Sequence, residues 1–287
     1  GRTNVLGLVI PAGVAAIFSD PYFPILIQGV STACNALGYT VMLWLAEPEY
    51  ERRMIHQILH NGLLDGVIIA SALMEDSIVQ SLYTSKMPFI MVGRHPSMDV
   101  NYLDVDNVAG AHNATAHLLR IGRKRVATIT GPMNMIAGHD RYQGYADAFH
   151  QRNVTLSPDL VVEGDFTEMS GYTCMRELLG RGVDAVFVAS DAMAYGAMRA
   201  VRESDLRIPE DVAMVGYDDL PGSARTSPAL TTIRQPVHRM GAVVTETLVD
   251  IIHHPTPQPR HVILPTELVI RDSSGAYGSK NVKGKHS

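Results

Sequence analysis

Residues 208–236 read IPEDVAMVGYDDLPGSARTSPALTTIRQP, and this stretch indicates the fold of the chain. Val212–Val215 is a short apolar run typical of a buried strand, and an acidic pair, Asp218 and Asp219, follows where that strand should end. A second β-type run, Leu230–Ile233, comes before Pro236. Ligands of open parallel sheets bind beyond the carboxyl ends of the strands, so the acidic pair is a candidate ligand contact. A helix N-cap or a solvated turn is an equally open interpretation, because Asp favours both positions.

The rest of the chain alternates short β-type runs with helical runs. Val5–Ile10 predicts the first strand, and Asp20 followed by Pro21 predicts the start of the first helix. A further helix is predicted over Glu49–His60. About five strands precede residue 105 and about five follow before residue 234, which predicts an α/β fold with two doubly wound, parallel-sheet lobes. Periodicity alone does not assign the amphipathic helix after Pro236 to either lobe.

Composition narrows the class of protein. The chain has 287 residues, of which 46% are hydrophobic and 18% charged, with a formal net charge of −5. This charge balance does not favour unspecific binding to nucleic acid or to an anionic membrane surface. Cys34 and Cys174 occupy apolar positions of predicted helices, so we expect buried free thiols, which fit a reducing cytoplasm.

The two ends of the chain differ in composition from the rest of the sequence. Asn4–Ser19 is a mostly apolar run that superficially resembles a signal peptide, but Pro11 and Gly13 interrupt it. We therefore expect a strand followed by a loop over Pro11–Ser19. The tail over residues 275–287 is rich in Gly, Ser and Lys, and we expect it to be flexible.

Motifs of the common enzyme and metal classes are absent from the sequence. No GxGxxG follows the first strand, and no GxxxxGK[ST], HExxH, CxxC or GxSxG occurs. We therefore expect no cofactor and no metal. The two matches to the glycosylation motif, at Asn113 and Asn153, are interpreted as chance.

What remains is a set of polar and aromatic residues at the ends of predicted strands. Carboxylates, an arginine or two and flat aromatic faces suit a polyhydroxylated or heterocyclic small molecule, because charged groups give directional hydrogen bonds and rings cover apolar surface. The candidates are Asp20, Tyr22, Phe23, Arg94, Arg141, Phe166, Ser190, Asp191 and Asp218.

Each candidate also has a structural alternative. Asp20 and Asp191 suit helix caps, and Tyr22 and Phe23 suit the core. The basic run Arg123–Arg125 is typical of a solvated turn after a helix, where cations complement the helix dipole, rather than of a DNA contact.

Taken together, these segments resemble the effector-binding region of LacI/GalR-type transcriptional regulators over roughly residues 3 to 274. The most specific marks are VFVASDAMAYGAMRA and VGYDD followed by PALTTIRQP; others are NVLGLVIP, DPYFPILIQGV, VDNVAGAHNATAHLLRIGRKRVATITGP and RYQGYADAF.

The resemblance implies a periplasmic binding protein-like fold of type I, with two Rossmann-like lobes joined by three crossovers. The implied N-terminal lobe is 1–104 plus 235–264, and the C-terminal lobe is 105–234 plus 265–274. The hinge residues would be Asp104, Val105, Asp106, Ile233, Arg234, Gln235, Leu264, Pro265 and Thr266.

The resemblance also implies a function. Arg141 and Asp218 match the family's Arg and Asp that grip a ligand from opposite sides. Ser190 departs from the Asn of some sugar-binding relatives, and Met135 and Ala137 stand where a purine-binding relative has Arg and Thr. A sugar or sugar derivative is therefore the favoured effector class.

The implied mechanism is allosteric and involves no catalysis. A ligand in the cleft between the lobes favours one lobe orientation only if it binds the two orientations with different affinity. The family acts as a cytoplasmic homodimer that reads operator DNA through an N-terminal helix-turn-helix headpiece, which this sequence does not contain. The alternatives are a solute-binding protein of a transport system and a dehydrogenase on a doubly wound sheet; the missing glycine fingerprint disfavours the dehydrogenase.

Overall fold

The structure is a computed structural model that describes residues 2–11, 19–44 and 62–276. Contacts divide the chain into two compact units. The first contains Gly1–Val105, Asn134–Ile136 and Pro236–Leu264, and the second contains Asp106–Met133, Ala137–Gln235 and Pro265–Ser287. The predicted helix Glu49–His60, residues 12–18 of the predicted loop and residues 277–287 of the predicted tail lie outside the described residues.

Strands and helices alternate through the described chain, as the sequence predicts. The strands are β1 (Val5–Val9), β2 (Thr40–Trp44), β3 (Gly66–Ala70), β4 (Phe89–Val92), β5 (Tyr102–Val105), β6 (Val126–Thr130), β7 (Val161–Glu163), β8 (Ala185–Val188), β9 (Ala213–Asp218), β10 (Thr231–Arg234), β11 (His261–Leu264) and β12 (Glu267–Val269). The helices are α1 (Tyr22–Ala36), α2 (Ser77–Ser85), α3 (Asn107–Arg120), α4 (Ile136–His150), α5 (Glu168–Leu179), α6 (Asp191–Glu203) and α7 (Val237–His253).

The first unit contains a parallel sheet with the order β11-β5-β4-β3-β1-β2. Its central strand β3 reads GVIIA and is buried at every position, as expected for a strand covered on both faces. Chain order reverses beside β1, with β2 on one side and β3 on the other. The crevice beyond that point is where a doubly wound sheet offers a ligand site.

Helix α7 packs against α1 in the first unit, and glycines allow their backbones to approach closely. A Cβ built at Gly29 of α1 would lie 2.0 Å from the carbonyl oxygen of His238, and one at Gly241 of α7 would lie 2.3 Å from the carbonyl oxygen of Leu26. Neither distance can hold a carbon atom, so only glycine fits at this crossing.

We expect Gly29→Ala to destabilise the protein by about 2 kcal/mol or more, because the added methyl group must push the two helices apart. The direction of this change in stability is informative, because a Gly→Ala substitution in an exposed helix interior would instead stabilise the protein by roughly 1 kcal/mol. Urea denaturation measures the change. Gln28→Ala on the exposed face of α1 is the matched control, and an unchanged or raised midpoint for Gly29→Ala would contradict the close helix crossing.

The second unit contains the sheet β12-β10-β9-β8-β6-β7, in which only β12 runs antiparallel to its neighbour. Chain order reverses beside β6, which lies between β7 and β8. The α/β prediction of two doubly wound sheets is confirmed. The strand that opened the sequence analysis is longer than predicted: it continues through Gly216 and Tyr217, so Asp218 is its last residue.

The structure also describes the environment of the two cysteines and the character of the helices. Cys34 and Cys174 are free and buried, as predicted, and burial raises the pKa of the Cys34 thiol to about 11. Among the helices of residues 2–11, 19–44 and 62–276, none combines the length and the apolar character needed to cross a membrane.

Candidate functional site

The carboxyl ends of four neighbouring strands bring candidate residues to one edge of the second sheet. Asp218 ends β9, Ser190 follows β8, Arg141 lies on the helix after β6, and Phe166 follows β7. These strands are adjacent in the order β9-β8-β6-β7, so residues distant in sequence meet at the switch point of the sheet.

Arg141 is the best-fixed side chain of this edge. It is 5% exposed. Its Nε donates to Oδ1 of Asn107 at 2.9 Å, and its Nη1 donates to the carbonyl oxygen of Ala189 at 2.6 Å. The guanidinium carbon lies 3.8 Å from the centre of the Tyr217 ring, a cation–π distance. These contacts hold the guanidinium fork in one orientation before any ligand arrives.

Asp218 lies beside this arginine. Its Oδ1 is 3.7 Å from Nη1 of Arg141, too far for a direct hydrogen bond but close for an ion pair. The same oxygen accepts the side-chain amide of Gln235 at 2.5 Å, and Oδ2 accepts the backbone N–H of Asp191 at 3.4 Å. With φ of 124°, Asp218 has a backbone conformation that L residues seldom adopt. Such strain is typical of functional positions.

Phe166 provides an aromatic face near the arginine. Its ring centre lies 5.9 Å from the guanidinium carbon of Arg141. A Cβ at Gly131, just after β6, would lie within 2.2 to 3.0 Å of the Phe166 ring atoms. The ring can rest on this backbone only because residue 131 is glycine.

Ser190 and Asp191 both make hydrogen bonds within the protein. Ser190, not Asp191, caps helix α6, since its Oγ accepts the backbone N–H of Met193 at 3.2 Å. Asp191 is the first helical residue and is 0% exposed. Its carboxylate accepts Thr232 Oγ1 at 2.7 Å, Leu220 N at 2.9 Å and Ser223 Oγ at 2.5 Å. The predicted helix cap at Asp191 is therefore wrong by one residue, because Ser190 reaches the orphan N–H first.

Asp191 thus connects the backbone around the candidate site through buried hydrogen bonds. Its donors come from β10 and from the loop that follows β9, while its own N–H bonds Asp218. Burial raises the pKa of the Asp191 carboxyl to about 6. The second acid of the opening pair, Asp219, also faces protein: Arg234 Nε donates to it at 2.7 Å and Arg271 Nη2 at 2.6 Å.

The first-unit candidates follow β1 and β4 in that unit's own sheet. The Asp20 carboxylate accepts the backbone N–H of Tyr22 at 2.9 Å, so it supports the start of α1 although the helix begins at Tyr22, one residue later than predicted. Phe23 is 6% exposed and belongs to the hydrophobic core, with Tyr22 edge-on to it at 5.5 Å. Arg94 lies 3.9 Å from the carboxylate of Asp104.

The residues predicted as hinge lie where the chain passes from one unit to the other, after Val105, Gln235 and Leu264. Several have a definite local contact. Asp106 caps helix α3 by accepting the N–H of Ala109, and Ile233 is buried. The full predicted set is Asp104, Val105, Asp106, Ile233, Arg234, Gln235, Leu264, Pro265 and Thr266.

Sequence reasoning missed several residues that build the site. Asn107 and Tyr217 fix the arginine, and Gln235, predicted only as a hinge residue, bonds Asp218. Only the position of Tyr217 one residue before Asp218 offered a signal in the sequence. The described residues contain no group of three or more His, Cys, Asp or Glu side chains that could hold a metal ion.

The chain is similar in sequence to known transcriptional regulators. The family model for a periplasmic binding protein-like domain matches residues 115–274, more than half of the chain. The HTH-type transcriptional regulator CelR of Thermobifida fusca is 37% identical over 277 residues, covering 95% of this chain and 82% of that protein. The HTH-type transcriptional repressor PurR of Haemophilus influenzae is 31% identical over 278 residues, covering 94% and 81%.

A solved structure shows the same similarity at the level of the fold. The transcriptional regulator CelR–cellobiose complex superimposes with a TM-score of 0.91 at 36% identity, covering 95% of this chain and 85% of that one. Since these relatives are transcriptional regulators, the alternative of a solute-binding protein of a transport system is set aside. The resemblance stated from sequence is confirmed: the chain belongs to the LacI family of transcriptional regulators, and it has that family's periplasmic binding protein-like effector fold.

Proposed function

We propose that the edge built by Arg141, Asp218 and Phe166 binds a sugar or sugar derivative, and that this binding controls operator DNA binding by the full-length regulator. One observation carries the proposal most directly. Arg141 is held by Asn107, Ala189 and the Tyr217 ring, so it offers its remaining N–H groups in a fixed direction. Such preorganised donors beside an acid and an aromatic face suit a hydroxylated ring.

The likeness to the CelR–cellobiose complex supports the sugar class, since cellobiose is a sugar and that chain is 36% identical. The likeness to PurR keeps a purine as the second candidate. Met135 and Ala137 favour the sugar, because in this sequence they replace the Arg and Thr of a purine-binding relative.

The remaining site residues belong to the same proposal. Asp20, Tyr22, Phe23 and Arg94 are proposed as contacts from the lobe 1–104 plus 235–264. Ser190 and Asp191 are proposed as ligand-binding residues of the lobe 105–234 plus 265–274; both are buried and hydrogen-bonded to protein groups.

A hinge at the three crossovers completes the mechanism. Gln235 bonds the Asp218 carboxylate directly, so a ligand that competes for this oxygen would disturb the crossover segment itself. Such a ligand shifts a conformational equilibrium only as far as its affinities for the two states differ. We further propose that the protein acts in the cytoplasm as a homodimer, with two DNA-reading headpieces, and that it catalyses no reaction.

We expect a panel of sugars and purines to contain a sugar that raises the melting temperature. At a hundredfold excess over its dissociation constant, such a ligand stabilises the folded protein by roughly 2.7 kcal/mol. Differential scanning fluorimetry with cellobiose, glucose, ribose, hypoxanthine and guanine measures this effect. A shift with a purine and with no sugar would overturn the sugar class, and isothermal titration calorimetry on each positive compound checks that the shift reports binding.

A further inference from the structure

We propose that Asp165 is a positioning residue of the candidate site, which holds the Phe166 ring in place without touching a ligand itself. The inference rests on the proposed function, because it takes Phe166 as a ligand contact. Every contact that carries it lies within the second unit, where the chain passes from strand β7 to helix α5.

Phe166 has a backbone conformation that phenylalanine does not favour. Its φ angle is 70°, in the left-handed region, where the Cβ of an L residue crowds the following carbonyl oxygen. A residue other than glycine keeps such a conformation only where the surrounding structure over-determines it. The turn around Phe166 must therefore supply contacts that hold this residue in the left-handed region.

Asp165, the exposed residue before Phe166, supplies these contacts. Its Oδ1 accepts the backbone N–H of Thr167 at 2.8 Å, which closes a side-chain turn with Phe166 at its centre. The backbone N–H of Asp165 donates to Ser170 Oγ at 3.1 Å. Asp165 thus bonds the chain beyond Phe166 through both its side chain and its backbone.

Helix α5 fixes the far side of this turn. Thr167 is the N-cap of α5, and its Oγ1 accepts the backbone N–H of Ser170 at 3.1 Å. Ser170 Oγ donates in turn to the carbonyl oxygen of Thr167 at 3.0 Å. Because Thr167 and Ser170 belong to the start of a helix, the two bonds from Asp165 fasten Phe166 to a regular element of the unit.

The turn determines where the Phe166 ring lies. A Cβ at Gly131 would collide with the ring atoms, so the ring packs directly on the backbone that follows β6. The guanidinium carbon of Arg141 lies 5.9 Å from the ring centre. If φ of Phe166 changed to a negative value, the Cα–Cβ bond would point in another direction and the ring would leave both neighbours. Asp165 therefore acts on a ligand only through the position of this ring.

The size of the expected effect follows from the population of the correct ring position. Asp165→Ala opens the turn, and a left-handed phenylalanine is then disfavoured about tenfold relative to ordinary backbone conformations. A ligand that binds only the left-handed population has its apparent affinity reduced by the same factor. Asp165→Asn retains an acceptor oxygen that closes the same kind of turn, so it should change the affinity by less than about threefold.

Calorimetric titration measures these affinities, with the sugar that the thermal-shift panel identifies as titrant and cellobiose as the first one used. We expect Asp165→Ala to bind about tenfold more weakly than the wild type and Asp165→Asn to bind nearly as well. Glu168→Gln is the matched control. It removes a carboxylate from the same end of α5, but this carboxylate pairs with Arg199 at 3.4 Å and not with the turn. Equal affinities of the wild type and Asp165→Ala would overturn the inference.

A double-mutant cycle separates positioning of the ring from a general loss of structure. In a Phe166→Leu background, Asp165→Ala should weaken binding no further, because the ring through which Asp165 acts is already gone. A second loss of about tenfold in that background would contradict the inference, since it would show that Asp165 acts on the ligand by another route.

Fluorine NMR of protein labelled with para-fluorophenylalanine tests the ring position without any ligand. The sequence contains six phenylalanines, and the resonance that disappears in Phe166→Leu identifies Phe166. We expect this resonance to move toward its unfolded position in Asp165→Ala and to stay in place in Asp165→Asn. An unmoved resonance in Asp165→Ala would overturn the inference whether or not a sugar binds. A moved resonance together with no sugar bound by the wild type would overturn the proposed function and support the positioning of the ring.

Discussion

Arg141→Ala is expected to weaken effector binding and to destabilise the protein by about 3 to 5 kcal/mol, because it removes one partner of a buried ion pair. Asp218 would remain buried without its arginine, and Asn107 Oδ1 and the Ala189 carbonyl would lose their donor. Binding should weaken by roughly a hundredfold or more, the usual cost of truncating one partner of a buried charge pair. Calorimetric titration and urea denaturation measure the two effects.

Two variants make this test decisive. Arg141→Lys retains the charge but loses the planar fork, so it should bind effector at least about tenfold more weakly while retaining more stability than the alanine variant. Arg176→Ala removes an exposed arginine from α5 and should change stability by no more than about 0.5 kcal/mol. If Arg141→Lys binds effector as tightly as the wild-type protein, the fork is not the ligand contact.

Asp191→Ala is expected to lower the free energy of unfolding by about 3 kcal/mol or more, because the groups that hydrogen-bond this buried carboxylate would lose their acceptor. The substitution removes the acceptor that Thr232 Oγ1, Ser223 Oγ and Leu220 N share, and of the three groups Ser223 Oγ retains a hydrogen bond with the Tyr195 hydroxyl at 2.8 Å. It also releases the loop after β9 and strand β10 from helix α6. Urea denaturation measures the loss. Glu210→Ala, an exposed carboxylate near β9, is the control, and a change as small as that control's would show that the three donors find other partners.

The pH dependence of stability independently tests the buried environment of Asp191. The folded-state pKa of Asp191 is raised from the usual 3.8 of an aspartate to about 6, because burial disfavours the charged form. The stability contributed by its protonated form is therefore fully present below about pH 4 and is lost as the pH rises through about 6. The free energy of unfolding of the wild type minus that of Asp191→Asn should fall by roughly 1 kcal/mol between about pH 5 and about pH 7. A difference independent of pH would mean that Asp191 does not titrate in this range.

Much of the site could be predicted because local sequence and sheet topology determine where strands end. Asp218, Ser190, Arg141 and Phe166 each follow a recognisable strand, and parallel strands of one sheet place such residues on one edge. The family resemblance then singled out Arg141 and Asp218. The resemblance could not assign the local role of each residue. Asp191 matches a helix cap in sequence, yet it is Ser190 that caps helix α6.

The sequence by itself determined the alternation of strands and helices, the doubly wound class and the family, because hydrophobic periodicity and local motifs are properties of neighbouring residues. Only the tertiary structure decided which groups orient the site. Asn107, Ala189 and Gln235 lie 34, 48 and 17 residues from the side chains they bond. The donors to Asp191 lie 29 to 41 residues away from it. Hydrogen bonds and ion pairs across such separations form only once the sheet has brought distant strand ends together, so the charge balance at Arg141 and Asp218 is a property of the folded edge.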